Sequence, residues 1–198
     1  PINTNASVSS NYNNFAISCN GLNNGSATAS ATGGTGAYQY NWSNGEQTAV
    51  ATALNAGTYY VSITDANNCT NIDSVFLNEP DLMSISTSIT GTSGCDSNAL
   101  GQATAVASGG VPPFSYWWSN GQTTATTTGI VAAAYTVTAT DLNGCLMVDN
   151  IIYAGSDPIQ LVFDVDSVSC KDGNDGAIAV TGIGGATPYT YLWDAAAG

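Results

Sequence analysis

The stretch Gly33-Gly34-Thr35-Gly36-Ala37-Tyr38-Gln39-Tyr40-Asn41-Trp42-Ser43-Asn44-Gly45 returns as Gly109-Gly110-Val111-Pro112-Pro113-Phe114-Ser115-Tyr116-Trp117-Trp118-Ser119-Asn120-Gly121. It begins again as Gly184-Gly185-Ala186-Thr187-Pro188-Tyr189-Thr190-Tyr191-Leu192-Trp193. The shifts are 76 and 75 residues, and self-similarity at a fixed period marks a tandem array. A second block keeps step. Ala56-Gly57-Thr58-Tyr59-Tyr60-Val61-Ser62-Ile63-Thr64-Asp65 matches Ala133-Ala134-Tyr135-Thr136-Val137-Thr138-Ala139-Thr140-Asp141. The chain therefore divides at 1–80, 81–157 and 158–198, the last being the first half of a third repeat. It reads as a piece of something longer.

Each repeat is built of short strands. Tyr38, Tyr40 and Trp42 sit at i, i+2 and i+4, on one face of a strand. Alternating aromatics of this kind are expected in a core, as are Phe114, Tyr116 and Trp118, and Tyr189, Tyr191 and Trp193. Asn44-Gly45 offers the two positive φ angles of a type I′ hairpin turn. Tyr59, Val61 and Ile63 give another strand, and Ile72 to Leu77 the last, closed near Pro80. About six strands with frequent turn signals predict an all-β chain, a small Ig-like β-sandwich per repeat of about 76 residues.

Composition narrows the function. There are 14 Asp+Glu, no His, and Lys171 is the sole Lys or Arg, for a net charge of −13. A nucleic-acid partner is excluded, because one Lys is too few to neutralise phosphates. Histidine-based catalysis, ligation and pH switching are excluded too. No Asp/Glu pair recurs in a glycosidase-like context, so an enzyme is not expected. Low aliphatic content with high charge is a disorder signature, but 4 Trp, 10 Tyr and the regular alternation argue for a folded chain. No apolar run reaches the roughly 18 residues of a membrane-spanning helix.

The cysteines follow the period. Cys19, Cys95 and Cys170 form one series, Cys69 and Cys145 the other. Cys19 to Cys69 and Cys95 to Cys145 are each 50 residues apart, so one disulfide within each repeat is expected, with the partner of Cys170 missing. Such a loop is worth on the order of 4 kcal/mol and implies an oxidising compartment. A rival scheme, Cys69 with Cys95 and Cys145 with Cys170, also keeps the period. Free buried thiols are the third possibility.

The order Cys, Asx/Gly-rich loop, Gly-Gly, Tyr-x-Tyr-x-Trp-Ser-Asn-Gly, Gly-Thr-Tyr-x-Val-x-x-Thr-Asp-x-x-x-Cys resembles the SprB repeat, a family that builds very large cell-surface adhesins of gliding Bacteroidetes. The aromatic strand alone is also similar to PKD-type and other Ig-like surface domains. Copy two departs from the pattern at Ala133-Ala134, and it lacks the Gly-rich loop after its first Cys. The resemblance implies an extracellular, cell-surface location, export by the type IX secretion system, and a role in gliding motility. The chain would then be a segment of an adhesin filament, a stalk and a low-affinity adhesive unit. Its partners would be neighbouring repeats, a polysaccharide or abiotic surface, and the secretion or motility machinery. The alternative is a carbohydrate-binding module of a secreted polysaccharide-degrading enzyme.

Candidate sites are few. Trp117 lies on the strand face opposite the core aromatics, where copy one has Asn41 and copy three Leu192, so it is a candidate ligand contact. Asp65/Asn67, Asp141/Asn143 and the cluster Asp172, Asn174, Asp175 offer oxygens of the kind Ca²⁺ prefers; the competing reading is an Asx turn. No other cofactor is expected. Asp73-Ser74-Val75 and Asp166-Ser167-Val168 match the O-glycosylation motif that the family resemblance brings with it, at Ser74 and Ser167.

Overall fold

A computed structural model describes residues 1–91, 100–154, 158–171, 173–185 and 187–194. It is all-β. In the first repeat the strands are β1 (Ile2–Val8), β2 (Gly25–Gly33), β3 (Gln39–Trp42), β4 (Val50–Leu54), β5 (Gly57–Thr64) and β6 (Thr70–Leu77). They form two three-stranded sheets, β1-β2-β4 and β3-β5-β6, with antiparallel pairing throughout. The second repeat supplies β7 (Ser84–Gly91), β8 (Gly101–Ser108), β9 (Ser115–Trp118), β10 (Thr126–Ile130), β11 (Ala133–Thr140) and β12 (Leu146–Tyr153), ordered β10-β8-β7 and β12-β11-β9. In the third, β13 (Gln160–Asp166) and β14 (Ala177–Ile183) pair antiparallel. Six strands in two sheets per complete repeat is the Ig-like sandwich expected of the sequence.

The chain falls into two compact units. The first is Pro1–Ser86 with Ala105–Ala125 and Thr136–Asp149; the second is Thr87–Thr104 with Thr126–Tyr135 and Asn150–Gly198.

The first-repeat core shows how a chain poor in aliphatics still packs. Ala27, Ala29 and Ala51 are buried on one sheet, and Trp42, Val61 and Ile63 on the other. Three methyl groups on one side leave room for an indole on the other, the large-against-small fit that close packing demands. The Trp42 indole N–H donates to the Thr48 carbonyl at 3.0 Å, so the buried ring hides no unpaired donor. Trp118 repeats the arrangement, donating to the Thr124 carbonyl at 2.9 Å. The β1 and β6 edges are laced by side chains. The Ala6 N–H donates to Asp73 Oδ2 at 2.8 Å, and Asn71 Nδ2 to the Ile2 carbonyl at 3.2 Å.

Three sequence expectations change. The Asn44-Gly45 turn is not type I′. Gly45 takes a positive φ of 91° and Gly121 one of 86°, while Asn44 and Asn120 do not. β3 then pairs with β5 rather than the next strand, because β4 crosses to the other sheet beside β2. The third copy's aromatics are also not core. Tyr191 is 48% and Trp193 56% exposed. In the first two copies the covering strand is β5 or β11, which follows the aromatic segment, and the third copy has no equivalent among the described residues.

The third correction concerns the disulfides. Cys19 is bonded to Cys145, 126 residues away, with Cα atoms 5.8 Å apart. Neither within-repeat pairing forms, nor does Cys145 pair with Cys170. Cys69 and Cys170 are free and exposed, and Cys95 lies outside the described residues. The reason is the length of β6. The Ala16 and Ile17 N–H groups both bind the Asn78 carbonyl, and Asn20 Nδ2 binds that of Pro80, so the Cys19 loop lies at the end of β6. Cys69 immediately precedes the start of the same 8-residue strand. At about 3.4 Å per residue the two cysteines stand roughly 25 Å apart, against the ~7 Å Cα limit for a disulfide.

Candidate functional site

The Cys19–Cys145 junction lies within the first compact unit. Its foundation is an aspartate. Asp141 is buried, and its Oδ1 accepts the N–H groups of Asn143 at 2.9 Å and Cys145 at 2.8 Å. Its Oδ2 accepts the Val111 N–H at 2.8 Å. The first two bonds fold 141–145 into an Asx turn that ends at Cys145. The third comes from the Gly-Gly loop, which explains that motif. Gly110 has φ 57°, and a Cβ there would stand 2.7 Å from Asp141 Oδ2.

Asp65 repeats the construction. Its carboxylate accepts from Asn67 N and Cys69 N at 2.9 Å and from Thr35 N at 3.0 Å, with Gly34 at φ 62°. The Thr35 N–H foremost, then those of Cys69 and Asn67, hold the Asp65 carboxyl below the usual carboxylate range, against the opposing effect of burial. The sequence carried this in the recurrence of Gly-Gly and Asp-x-Asx-x-Cys at one fixed spacing. Its meaning, a loop wrapped around a carboxylate, lies in the folded chain rather than in the spacing.

Asn143 completes the junction. Its Nδ2 donates to the Ser18 carbonyl at 2.8 Å and the Tyr12 carbonyl at 3.3 Å, and its Oδ1 accepts from Asn13 Nδ2 at 2.6 Å. The receiving loop is itself braced. Ser18 N donates to Asn24 Oδ1 at 3.1 Å, and Asn24 Nδ2 to Ser18 Oγ at 2.6 Å. Beside the disulfide lies an apolar groove of about 300 Å³ lined by residues that include Leu22, Leu82, Leu146 and Met147.

The other expected site residues are scattered. Trp117, paired with Thr138, is 62% exposed while Trp118 beside it is buried. Ser74 is exposed on β6 and Ser167 lies exposed just beyond β13. Asp172 falls outside the described residues. Asp175 Oδ1 accepts the Ser169 N–H at 3.1 Å, and the Ser169 hydroxyl, then its N–H, lower the Asp175 carboxyl from its ordinary value. Among the described residues no three His, Cys, Asp or Glu side chains converge on a common metal position. The oxygens of Asp65 and Asp141 are engaged by main-chain N–H groups.

Fold and junction together define a class: tandem β-sandwich repeats in which a turn of one repeat is disulfide-bonded to a loop of another. The SprB repeat family model matches residues 17–47, 95–123 and 162–198, and the chain is a SprB-repeat protein. It is a repeat segment of a cell-surface adhesin-type protein, and the repeat is a structural one rather than an enzyme family. Among the described residues no helix is long and apolar enough to cross a membrane. Comparison with curated proteins gives no match. Among solved structures, the three N-terminal domains of the bacteriophage RB49 highly immunogenic outer capsid protein (Hoc) are similar, with 16% sequence identity, a TM-score of 0.45, and 94% of this chain and 70% of that one covered.

Proposed function

We propose that the chain serves as a stalk segment of a surface filament that attaches cells to a substrate during gliding, exported by the type IX route that its family implies. The observation that carries this reading is the Cys19–Cys145 bond between repeats. A covalent tie between consecutive modules limits how far an array extends under load, which a passive mixture of domains would not need. Sparse basic charge, with one Lys in the whole chain, suits the extracellular face by discouraging self-association. The exposed Ser74 and Ser167 hydroxyls are available for O-glycosylation.

The exposed Trp117 indole supports a second element of the proposal, that the repeat itself grips a surface weakly and gains by multiplicity. The test is binding of the purified chain to glass, agar and a polysaccharide panel. It is run with and without Ca²⁺, because Asp65, Asn67, Asp141, Asn143, Asp172, Asn174 and Asp175 are the candidate oxygen ligands. Saturable binding lost in Trp117→Ala makes the repeat an adhesive unit. A folded, disulfide-bonded chain that binds nothing leaves it a stalk alone. High affinity for one defined polysaccharide would instead favour the carbohydrate-binding module.

A further inference from the structure

The described residues hold one complete junction and two further half-junctions, one a turn and the other a loop. The turn half is 65–69. It shares with 141–145 the buried aspartate, the paired N–H bonds, the Gly-Gly brace and the return bond from the Asp N–H to the Cys carbonyl, at 2.9 Å for Asp65–Cys69 and 3.1 Å for Asp141–Cys145. The difference is in what lies against it. Asn143 and Cys145 are half-buried on the Ser18–Cys19 loop, whereas Asn67 and Cys69 are exposed, and Asn67 Nδ2 rests on Thr35 Oγ1 at 2.8 Å.

The loop half is built by Ser169, Cys170, Gly173 and Asp175. In the first repeat the Cys19 carbonyl accepts the Leu22 N–H at 3.1 Å, and Ser18 N donates to the side chain six residues on, Asn24. In the third repeat the Cys170 carbonyl accepts the Gly173 N–H at 3.0 Å, and Ser169 N donates to the side chain six residues on, Asp175. Cys170 is exposed and free. Asp175, a candidate metal ligand by sequence, is thus the brace of a cysteine loop.

We propose that Cys69 and Cys170 are junction cysteines for further copies of the repeat: Cys69 bonds the Ser-Cys loop of another repeat, and Cys170 bonds another repeat's Asp-x-Asx-x-Cys turn. Consecutive repeats are then stapled loop to turn, one disulfide per junction. The inference rests on reading the chain as part of a repeat array and gives that array its covalent rule. The bonded Cys145, in the same turn as Cys69, is the observation that identifies the partner. The chemistry is thiol–disulfide exchange with a disulfide oxidant RS–SR. One thiolate attacks RS–SR, expelling RS⁻; the second thiolate attacks the mixed disulfide, expelling the other RS⁻. The two thiols lose two electrons and two protons, and RS–SR becomes two RSH.

The test uses chains of residues 1–198, all Cys95→Ser. One also carries Cys69→Ser, leaving Cys170 free; the other carries Cys170→Ser, leaving Cys69 free. Each is incubated with oxidised glutathione, alone and mixed, once the Cys19–Cys145 bond is confirmed. The mixture should give a heterodimer with a Cys69–Cys170 linkage in about tenfold excess over either homodimer, the discrimination expected of one good set of docking contacts. Asn67→Ala should cut the heterodimer several-fold while leaving Cys69 alkylation by a small maleimide unchanged. Homodimers as abundant as the heterodimer would overturn the proposal. So would the absence of any heterodimer, or an Asn67→Ala chain that crosslinks as well as its parent. None of these outcomes depends on surface adhesion, so failure here and failure of the adhesive reading are separate results.

Discussion

Asp65 to Cys69 and Asp141 to Cys145 fold into the same turn on the same three main-chain N–H bonds, yet one sulfur is free at the surface and the other is in a disulfide. The local sequence sets the shape of the turn. Its role is set by what is docked against it. The same lesson comes from the aromatics: Trp42 and Trp118 are 2% and 0% exposed beneath their sandwiches, while Trp193 in the matching motif is 56% exposed. A repeat motif fixes a conformation, and burial or bonding follows from neighbours supplied by another stretch of chain.

The comparison can be broken most forcefully at the sulfur. Cys145→Ser should lower unfolding stability by on the order of 4–5 kcal/mol, the loop-closure value for a crosslink across more than 100 residues. Cys69→Ser should change it by less than ~0.5 kcal/mol, as an exposed substitution does. Denaturant titration of both variants reads the difference, and equal effects would contradict it. Next is the carboxylate. Asp141→Ala strands the N–H groups of Val111, Asn143 and Cys145. It should cost roughly 2–3 kcal/mol and reduce the yield of the Cys19–Cys145 bond on refolding. Asp65→Ala should leave that yield unchanged, since its turn bonds no partner here.

Smaller effects sharpen the likeness of the repeats. At the register shifts beside β2 and β8, Ala53 has φ 51° where Gly129 has φ 66°. Ala53→Gly should therefore stabilise by roughly 0.5–1 kcal/mol, and Gly129→Ala should do the opposite. The weakest lever is acid. The Asp65 carboxyl is held below its ordinary value when folded. Its stabilising contribution is thus complete above about pH 4, the unfolded carboxylate range, and is lost as pH falls through the lower folded value. Amide protection at Asn67 and Cys69 should hold down to about pH 4 and then fade; fading well above that pH would contradict the assignment.

Much of the fold was legible because it rests on period. The 76-residue shift, the strand alternation and the core position of Trp42 and Trp118 all follow from residues repeated in sequence. The cysteine pairing was not legible because several pairings respect the period equally. The length of β6, which separates Cys19 from Cys69, rules out the within-repeat bond, and that appears only once Ala16 and Ile17 are seen bound to Asn78. The Asn44-Gly45 turn misled for a related reason. Its residues permit a tight hairpin, but β4 is drawn to β2 in the opposite sheet, so no hairpin forms. Alternation alone predicts that Trp117 faces away from the core, and its indole is exposed.

The central claim is that the covalent bond runs between repeats rather than within them. Its most direct test is disulfide mapping of the oxidised chain, by alkylation of free thiols, non-reducing digestion and mass spectrometry. The account predicts a Cys19–Cys145 linked peptide and alkylated Cys69. Linked peptides joining Cys19 to Cys69 and Cys95 to Cys145 would contradict it.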